Sequence, residues 1–296
     1  MAKELEDVKS SFIQRIRREY SELTPGFQKV ATYILRDYQD VAFLTAAKVA
    51  QKVGVSESVV VRFAMALGYS GYPDMLKDIR GLVRRELSPQ AKLEQADNRV
   101  FHEGMDHAEV FRHVLQKDAD NLNATAQNPI NRDCGRAVEA LLAVGNGRVY
   151  CMGFRGLNNL AGLSCFYLAM TGLDSRLIIQ GDATMFQELN RVEEGDVLIT
   201  FSFPRYTRRT TEAMDLVRDA GGTTLVISDC LSSPAAQSAD VALVSSIESE
   251  SFYNSYCAAV SIINALVLSL AKADKDRTRN SLESIESVLP DKDFYG

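Results

Sequence analysis

The chain is poor in the residues that most often announce chemistry. Its 296 residues include three histidines, at 102, 107 and 113, and five cysteines, at 134, 151, 165, 230 and 257. The cysteine count is odd and no Cys-x-x-Cys pair occurs, which argues against both a disulfide framework and a zinc finger. A reducing cytoplasm is therefore the expected setting. No cluster of ligand-type residues suggests a metal, no pattern calls for a cofactor, and no Cys/His pairing suggests a nucleophile. No apolar run approaches the roughly 18 residues of a membrane span. Met1–Glu6 is charged and lacks the apolar core of a secretory signal. Internal repeats, low-complexity tracts and a heptad seam are absent. An excess of positive charge is absent too: the net charge is −6 and the pI about 5.3, against the basic footprint usual for a nucleic-acid binder.

What is present is ordinary globular material. Hydrophobic residues make up 46% and charged residues 24%, enough for at least one large core. At roughly 150 residues per domain, the length predicts two domains. The charge is unevenly shared. Residues 1–90 carry 14 Lys and Arg against 11 Asp and Glu, a net +3; the remaining 19 basic and 28 acidic residues give −9. Periodicity changes along the chain as well. Residues 8–87 read as successive helices, with Phe12, Ile13 and Ile16, then Val30, Ala31, Ile34 and Leu35, at helical spacing. Thr24 before Pro25 predicts a helix start. Residues 148–247 instead show short apolar runs at Val149–Phe154, Arg176–Gln180, Val197–Phe203, Thr224–Ser228 and Val241–Val244. Helical stretches near 157–171, 183–192, 208–220 and 234–238 separate them. The runs lack in/out alternation, which predicts parallel strands covered on both faces. Helices are also expected at 107–126, 133–143 and 252–271. Pro89, mixed charge and few apolar residues mark 88–107 as a linker, in part helical.

Thr45–Leu67, TAAKVAQKVGVSESVVVRFAMAL, carries the most information in the first half. Ala50 stands four residues before Gly54, the spacing of a helix-turn-helix: a small residue where two helices touch, then a glycine for a turn at positive φ. Val49, Val53, Val55, Val60 and Phe63 occupy its core positions, and Thr45 and Ser56 can cap its two helices. Ser56, Glu57, Ser58 and Val59 then open the second helix, with Arg62 one turn later. In DNA readers that end enters the major groove. Lys48 and Lys77 are candidate phosphate contacts, as are Lys52, Arg80, Arg84 and Arg85. The same spacing occurs in ordinary helical hairpins, and Glu57 fits either a base contact or a favourable helix N-terminus.

LTPGFQKVATYIL, followed by VAFLTAAKVAQKVGVSESVVVRFAMALGYSGYPDMLKDI, resembles the N-terminal domain of RpiR-family bacterial transcription regulators over about residues 5–85. Val59–Phe63 and Leu67–Pro73 carry the match. The resemblance implies a helical DNA-binding domain whose second motif helix begins at Ser56. Met65 departs from it, standing where many relatives have a basic residue.

In the second half, three loops follow predicted strands, where open parallel sheets bind ligands. They are Gly153-Phe154-Arg155-Gly156-Leu157-Asn158, Ser202 to Thr210, and Ser228 to Pro234. Gly153 and Gly156 could bring backbone N–H groups to an anion, and Arg155 and Arg205 could hold it by a planar fork. Ser202, Tyr206 and Thr207 complete the candidate effector site. Ordinary loops on a dimerisation platform remain the alternative. Residues 130–265 resemble the SIS (sugar isomerase) domain, carried by the order of elements, Asp196–Ser202 and Ala220-Gly221-Gly222 before Thr223–Ser228. This resemblance implies phosphosugar binding and dimerisation. Phosphosugar binders commonly have a serine where Gly156 stands, and Ser-x-Ser-Gly-x-Thr where Phe203, Pro204 and Arg205 intervene. A carboxylate metabolite thus stands beside a phosphosugar as effector.

The expected architecture has two domains. An all-α helix-turn-helix domain spans 1–87, with a linker at 88–107. An α/β domain spans 108–296 with a five-stranded parallel sheet in an α/β/α sandwich. The expected protein is not an enzyme but a cytoplasmic homo-oligomeric transcription regulator, at least dimeric, that binds operator DNA and a small anionic effector. The alternative is a sugar-phosphate isomerase with an accessory helical domain. Against it, all three histidines precede the first strand, and Glu188, Glu212, Glu248 and Glu250 are the remaining candidate bases.

Overall fold

The computed structural model describes residues 12, 13, 15, 16, 18–86, 88–97, 105–128 and 134–288. Arg85 has a described backbone only; His102 and Met1–Glu6 lie outside the described residues. Two compact units result. One comprises residues up to Val110 with Glu250–Tyr253; the other comprises Phe111–Ser249 and the residues from Asn254 onward.

The first unit contains α1 (Pro25–Val41), α2 (Ala46–Val53), α3 (Glu57–Ala66), α4 (Tyr72–Glu86) and α5 (Pro89–Asp97). The predicted apolar positions converge: Ile16, Val30, Ile34, Val49, Val60 and Phe63 are fully enclosed with Met75 and Ile79 from α4. Each such side chain contributes roughly 1.5–3 kcal/mol on burial. Thr24 sits at the N-cap of α1 with Pro25 at the first helical position, but its side chain makes no capping bond. Part of the expected linker, α5, is helical.

The turn between α2 and α3 follows the predicted chemistry. The Thr45 hydroxyl accepts from the Lys48 N–H at 3.3 Å and starts α2. Gly54 stops it at φ 70°, and the N–H groups of Gly54 and Val55 both donate to the Ala50 carbonyl. Only the backbone angle demands glycine here, since a Cβ would meet nothing within 4 Å. Ser56 occupies the N-cap of α3 in an extended conformation, yet does not cap it. Its hydroxyl lies 2.9 Å from that of Ser58 instead.

The second unit is a five-stranded parallel sheet in the order β2-β1-β3-β4-β5: β1 (Arg148–Gly153), β2 (Asp174–Ile178), β3 (Val197–Ser202), β4 (Thr223–Ser228) and β5 (Val241–Val244). Helices cover both faces. Leu141 of α7 (Cys134–Ala143), Leu160 and Leu168 of α8 (Asn158–Met170), and Ile263 and Leu266 of α12 (Cys257–Ala273) pack against Val149, Cys151 and Ile199. On the other face, Met185 of α9 (Ala183–Leu189), Met214 and Val217 of α10 (Arg208–Asp219) and Ala235 of α11 (Pro234–Ser238) pack against Tyr150, Met152 and Leu198. Neighbouring strand residues thus serve opposite layers, which is why the runs read as continuously apolar. A further helix, α6 (His107–Gln127), precedes α7. Its Asn121 side chain both accepts from the Glu248 N–H (3.0 Å) and donates to the Glu248 carbonyl (2.7 Å), tying it to the chain after β5.

Three expectations are corrected. The second strand begins at Asp174, two residues before the predicted 176, and as an edge strand it is not covered on both faces: Leu177 is 38% and Ile179 56% exposed. The helix expected at 252–271 begins only at Cys257, because the preceding turn is held by Ser255, whose hydroxyl donates to Asp118. A last helix, α13 (Lys275–Val288), was not predicted. Among the described residues, no single helix is long and apolar enough to cross a membrane.

Candidate functional sites

The helix-turn-helix buries one face of α3 and leaves the other open. Val60, Phe63 and Ala64 face the core, while Ser56, Glu57, Ser58, Arg62 and Met65 are exposed. The Arg62 guanidinium curls back to donate to the Ser58 carbonyl at 3.3 Å, within the first turn of the helix. Lys48 on α2 and Lys77 on α4 are also exposed. Two other expected phosphate contacts have internal partners. Lys52 pairs with Asp40 at 3.0 Å, and the Arg80 Nε donates to the Ala42 carbonyl at 2.8 Å.

The candidate effector loops lie side by side because the register pairs Gly153 with Phe201 and Ser202 with Ser228 at the carboxyl ends of β1, β3 and β4. After β1 the chain turns sharply through a single helical turn, Arg155–Leu157, into α8. Gly153 permits this turn: a Cβ there would lie 2.4 Å from the Leu157 carbonyl oxygen. Gly156 has no such duty, since a Cβ there would meet nothing within 4 Å. After β3, the Ser202 residue is buried and Phe203 packs its ring against Tyr256 at 5.3 Å. Arg155 (φ 61°) and Arg205 (φ 74°) are the only non-glycine residues at positive φ among the described residues. Both side chains are exposed. This conformation places Cβ against the following carbonyl and is costly for a long side chain.

Tyr206 does not offer its hydroxyl freely. It donates to both oxygens of Asp229, at 2.8 and 2.9 Å, across to the loop after β4. Burial pushes the Asp229 carboxyl above its ordinary range, partly offset by the Tyr206 hydroxyl. Burial likewise raises Tyr206, with the Asp229 carboxylate adding to it. Thr207 sits at the N-cap of α10 without a side-chain cap bond. Arg208 and Arg209, the first two residues of α10, both pair with Glu212. Ser228 donates to the Ser202 carbonyl and shares a 2.7 Å hydrogen bond with Ser233, which caps α11. The Asn158 side-chain oxygen, just after the Arg155 turn, is buried without a partner.

The predicted effector residues are therefore brought together, with Arg155 and Arg205 outermost and Tyr206 in a supporting position. Asn158 and Asp229 lie in the expected loops without being singled out there, and Tyr256 was missed. Tyr256 joins from the end of the loop before α12, where the Arg155 charge reaches its hydroxyl. The candidate acid/base residues disperse: Glu188 pairs with Arg191, Glu212 with two arginines, and the Glu248 side chain is exposed. Among the described residues, no group of three His, Cys, Asp or Glu is arranged to hold a metal ion.

Comparison with known proteins matches both units in sequence. Residues 11–83 match the helix-turn-helix domain of the rpiR family, and residues 142–269 match the SIS domain. An uncharacterised helix-turn-helix-type transcriptional regulator of Caldanaerobacter subterraneus subsp. tengcongensis is 24% identical over 291 residues, covering 93% of this chain and 95% of the relative. Among solved structures, the Vibrio vulnificus NanR protein complexed with ManNAc-6P is similar over 93% of this chain and 97% of its own, with a TM-score of 0.65 and 19% identity. The sugar isomerase domain of an RpiR transcription factor from Sphaerobacter thermophilus is similar over 61% of this chain and 99% of its own, with a TM-score of 0.57 and 24% identity.

Proposed function

Because the chain belongs to the RpiR family of helix-turn-helix regulators with a C-terminal SIS domain, we propose that it is a cytoplasmic bacterial transcription regulator that reads operator DNA and senses a small anionic metabolite. The observation that carries this reading is the open face of α3. Glu57, Ser58 and Arg62 stand exposed on the first two turns of the second motif helix, the end that enters the major groove in such motifs. Ser56 bounds that turn, and Lys48 and Lys77 on the flanking helices supply phosphate contacts.

The sensor is the loop cluster at the carboxyl ends of β1, β3 and β4. Arg155 and Arg205 bind the anion, while Gly153, Gly156, Ser202 and Thr207 shape the cradle. Tyr206 positions the second loop through Asp229. NanR, of similar fold, is complexed with a sugar phosphate, which supports a phosphosugar. Pro204 removes one loop N–H, and two guanidiniums suit a carboxylate as well as a phosphate. The effector class is therefore a phosphosugar or a carboxylate metabolite.

The helical domain spans 1–87, the linker 88–107 and the sensor domain 108–296. Two copies associate, presenting two reading helices to half-sites roughly 34–36 Å apart or a multiple of it. An open groove of about 870 Å³ between α12 and α13 supports a second copy as its occupant. Its apolar lining includes Leu268, 72% exposed, and Leu282. Lys272 and Lys275 line one part and Glu283 and Glu286 another, so two-fold pairing sets opposite charges together.

A mobility shift with the region upstream of its own gene tests the DNA reading, and loss of the shift in Arg62→Ala is expected. No shift at low salt refutes it. Calorimetry with phosphosugars and carboxylates finds the effector; Arg155→Ala and Arg205→Ala abolish that response while sparing DNA binding without effector. Turnover of aldose or ketose phosphates by the purified chain would replace this reading with an isomerase.

A further inference from the structure

One large apolar side chain stands on the open face of the helix-turn-helix. Among the described residues up to Glu86, Met65 is the only exposed large hydrophobic, at 55%, and it takes no part in the core of its unit. Helix geometry fixes its direction. At about 100° per residue, Ser58, Arg62 and Met65, spaced i, i+4 and i+7, fall within about 60° of one another. Val60, Phe63 and Ala64 fall on the opposite side and are buried. Met65 therefore shares a row with Ser58 and Arg62 and points away from the core.

The row changes character along α3. Its first two turns expose Glu57, Ser58 and Arg62, which all carry hydrogen-bonding side chains. Beyond Arg62 the exposed residues of α3 are Met65 and Ala66, with Val61 half-buried one turn before Met65. Ala66 and Val61 have no polar side-chain group, and the Met65 thioether is only a weak acceptor. This end of the helix can distinguish bases by apolar contact and shape, not by hydrogen bonds. Base edges in the major groove carry one apolar group, the C5-methyl of thymine.

We propose, resting on the DNA-binding reading of α3, that Met65 is a specificity-determining residue that packs on a thymine methyl, one in each half-site of the operator. Reading helices reach base edges from positions i, i+3, i+4 and i+7 of one face, the row that Ser58, Val61, Arg62 and Met65 occupy. The seven residues from Ser58 to Met65 rise about 10.5 Å, roughly three base-pair steps of about 3.4 Å. The thymine thus lies about three pairs from the one opposite Ser58, with the Arg62 contact between them. The Arg62 bond to the Ser58 carbonyl draws its guanidinium towards the start of α3, away from Met65. Methionine suits the contact, because an unbranched chain with a polarisable sulfur can adjust to the methyl. Cytosine at the same place would turn an amino group towards the thioether and lose its hydrogen bond to water.

The test uses the full chain. A preferred duplex is selected from a random-sequence DNA pool, and each of its thymines is replaced in turn by deoxyuridine. That exchange removes one methyl and keeps every hydrogen-bonding group on the base edge. Taking one methyl-sized group out of water is worth about fourfold, so binding should weaken about fourfold at one thymine of each half-site and about fifteenfold when both are replaced. Met65→Ala should bind the thymine and deoxyuridine duplexes equally at those positions, while Met65→Leu keeps the preference. Met65→Lys should lose it and steepen the log–log salt dependence by about 0.9 for each half-site, as a new phosphate contact would. Thermal melts confirm that the variants fold.

A deoxyuridine effect that survives Met65→Ala, or a duplex in which no thymine methyl matters, overturns the assignment while the DNA reading stands. If Met65→Ala lowers the mass of the chain in ultracentrifugation and leaves the discrimination unchanged, a second copy covers Met65 and the assignment is again overturned. If the chain retains no duplex from the pool at low salt, the DNA reading fails and the assignment falls with it.

Discussion

Gly153 and Gly156 share a six-residue loop, and sequence alone gives them the same role. Their surroundings separate them. A Cβ at 153 would approach the Leu157 carbonyl oxygen to 2.4 Å and its carbonyl carbon to 2.8 Å, both backbone atoms that no side-chain rotation can move aside. Gly153→Ala must therefore open the turn. Overpacking of this kind costs about 1–3 kcal/mol. For a unit of this size, each kcal/mol lowers the melting temperature by roughly 2–4 °C, so the expected fall is about 2–12 °C. Gly156→Ala meets no atom within 4 Å and needs no positive φ. Its effect should lie within about ±0.5 kcal/mol, or reach about +1 kcal/mol through a less flexible unfolded chain. Thermal melts of the two full-length variants, followed by circular dichroism, read the difference. Equal losses in both, or no loss in Gly153→Ala, would refute the account of the turn. The same pair separates stability from sensing: Gly156→Ser is expected to fold normally and to bind phosphosugars more tightly, since it restores the hydroxyl that phosphosugar binders commonly carry there.

Tyr206→Phe removes the donor from a buried carboxylate. The folded pKa of Asp229 is already raised, so its protonated form contributes stability at low pH that is lost as pH rises through that pKa. The variant should lose about 1.5–3 kcal/mol above the Asp229 pKa and about 0.5–1.5 kcal/mol below it, measured by urea melts at several pH values; a deficit that grows on acidification contradicts this. Lys48→Ala and Lys77→Ala should weaken binding to all DNA sequences alike and each flatten the salt slope by about 0.9 in log–log form, whereas Arg62→Ala should relax sequence preference as well. Leu268→Asp should shift the chain towards monomer in analytical ultracentrifugation, and an unchanged mass would remove the groove between α12 and α13 from the dimer.

Local physics governs what the sequence disclosed. The turn after α2 needed only Ala50 and Gly54 to be read, because glycine at positive φ is a local requirement. The central strands were legible because both faces are buried. β2 was read two residues late, because Asp174 and Ser175 begin an edge strand whose exposed face tolerates polar residues. α13 was silent for a related reason: its apolar residues Leu282 and Ile285 are exposed and trace no buried stripe. The three loops lie at the strand ends where the sequence puts them, but their internal wiring was not legible. Tyr206 finds Asp229 twenty-three residues away, and Tyr256 meets Phe203 from fifty-three residues further along the chain, contacts that only the folded sheet creates. Ser56 shows the limit even of local rules, since a neighbouring Ser58 hydroxyl competes for the side chain expected to cap α3.

The left-handed arginines have a consequence for how this protein would respond to selection. Each holds a backbone shape that costs a non-glycine residue roughly 1–2 kcal/mol, and glycine adopts it freely. A library screened for heat resistance alone would therefore be enriched for glycine at 155 and 205, and its hardiest members would have discarded both guanidiniums. Robustness and responsiveness are set against each other at two positions, so a hardened version of this chain must gain its stability elsewhere.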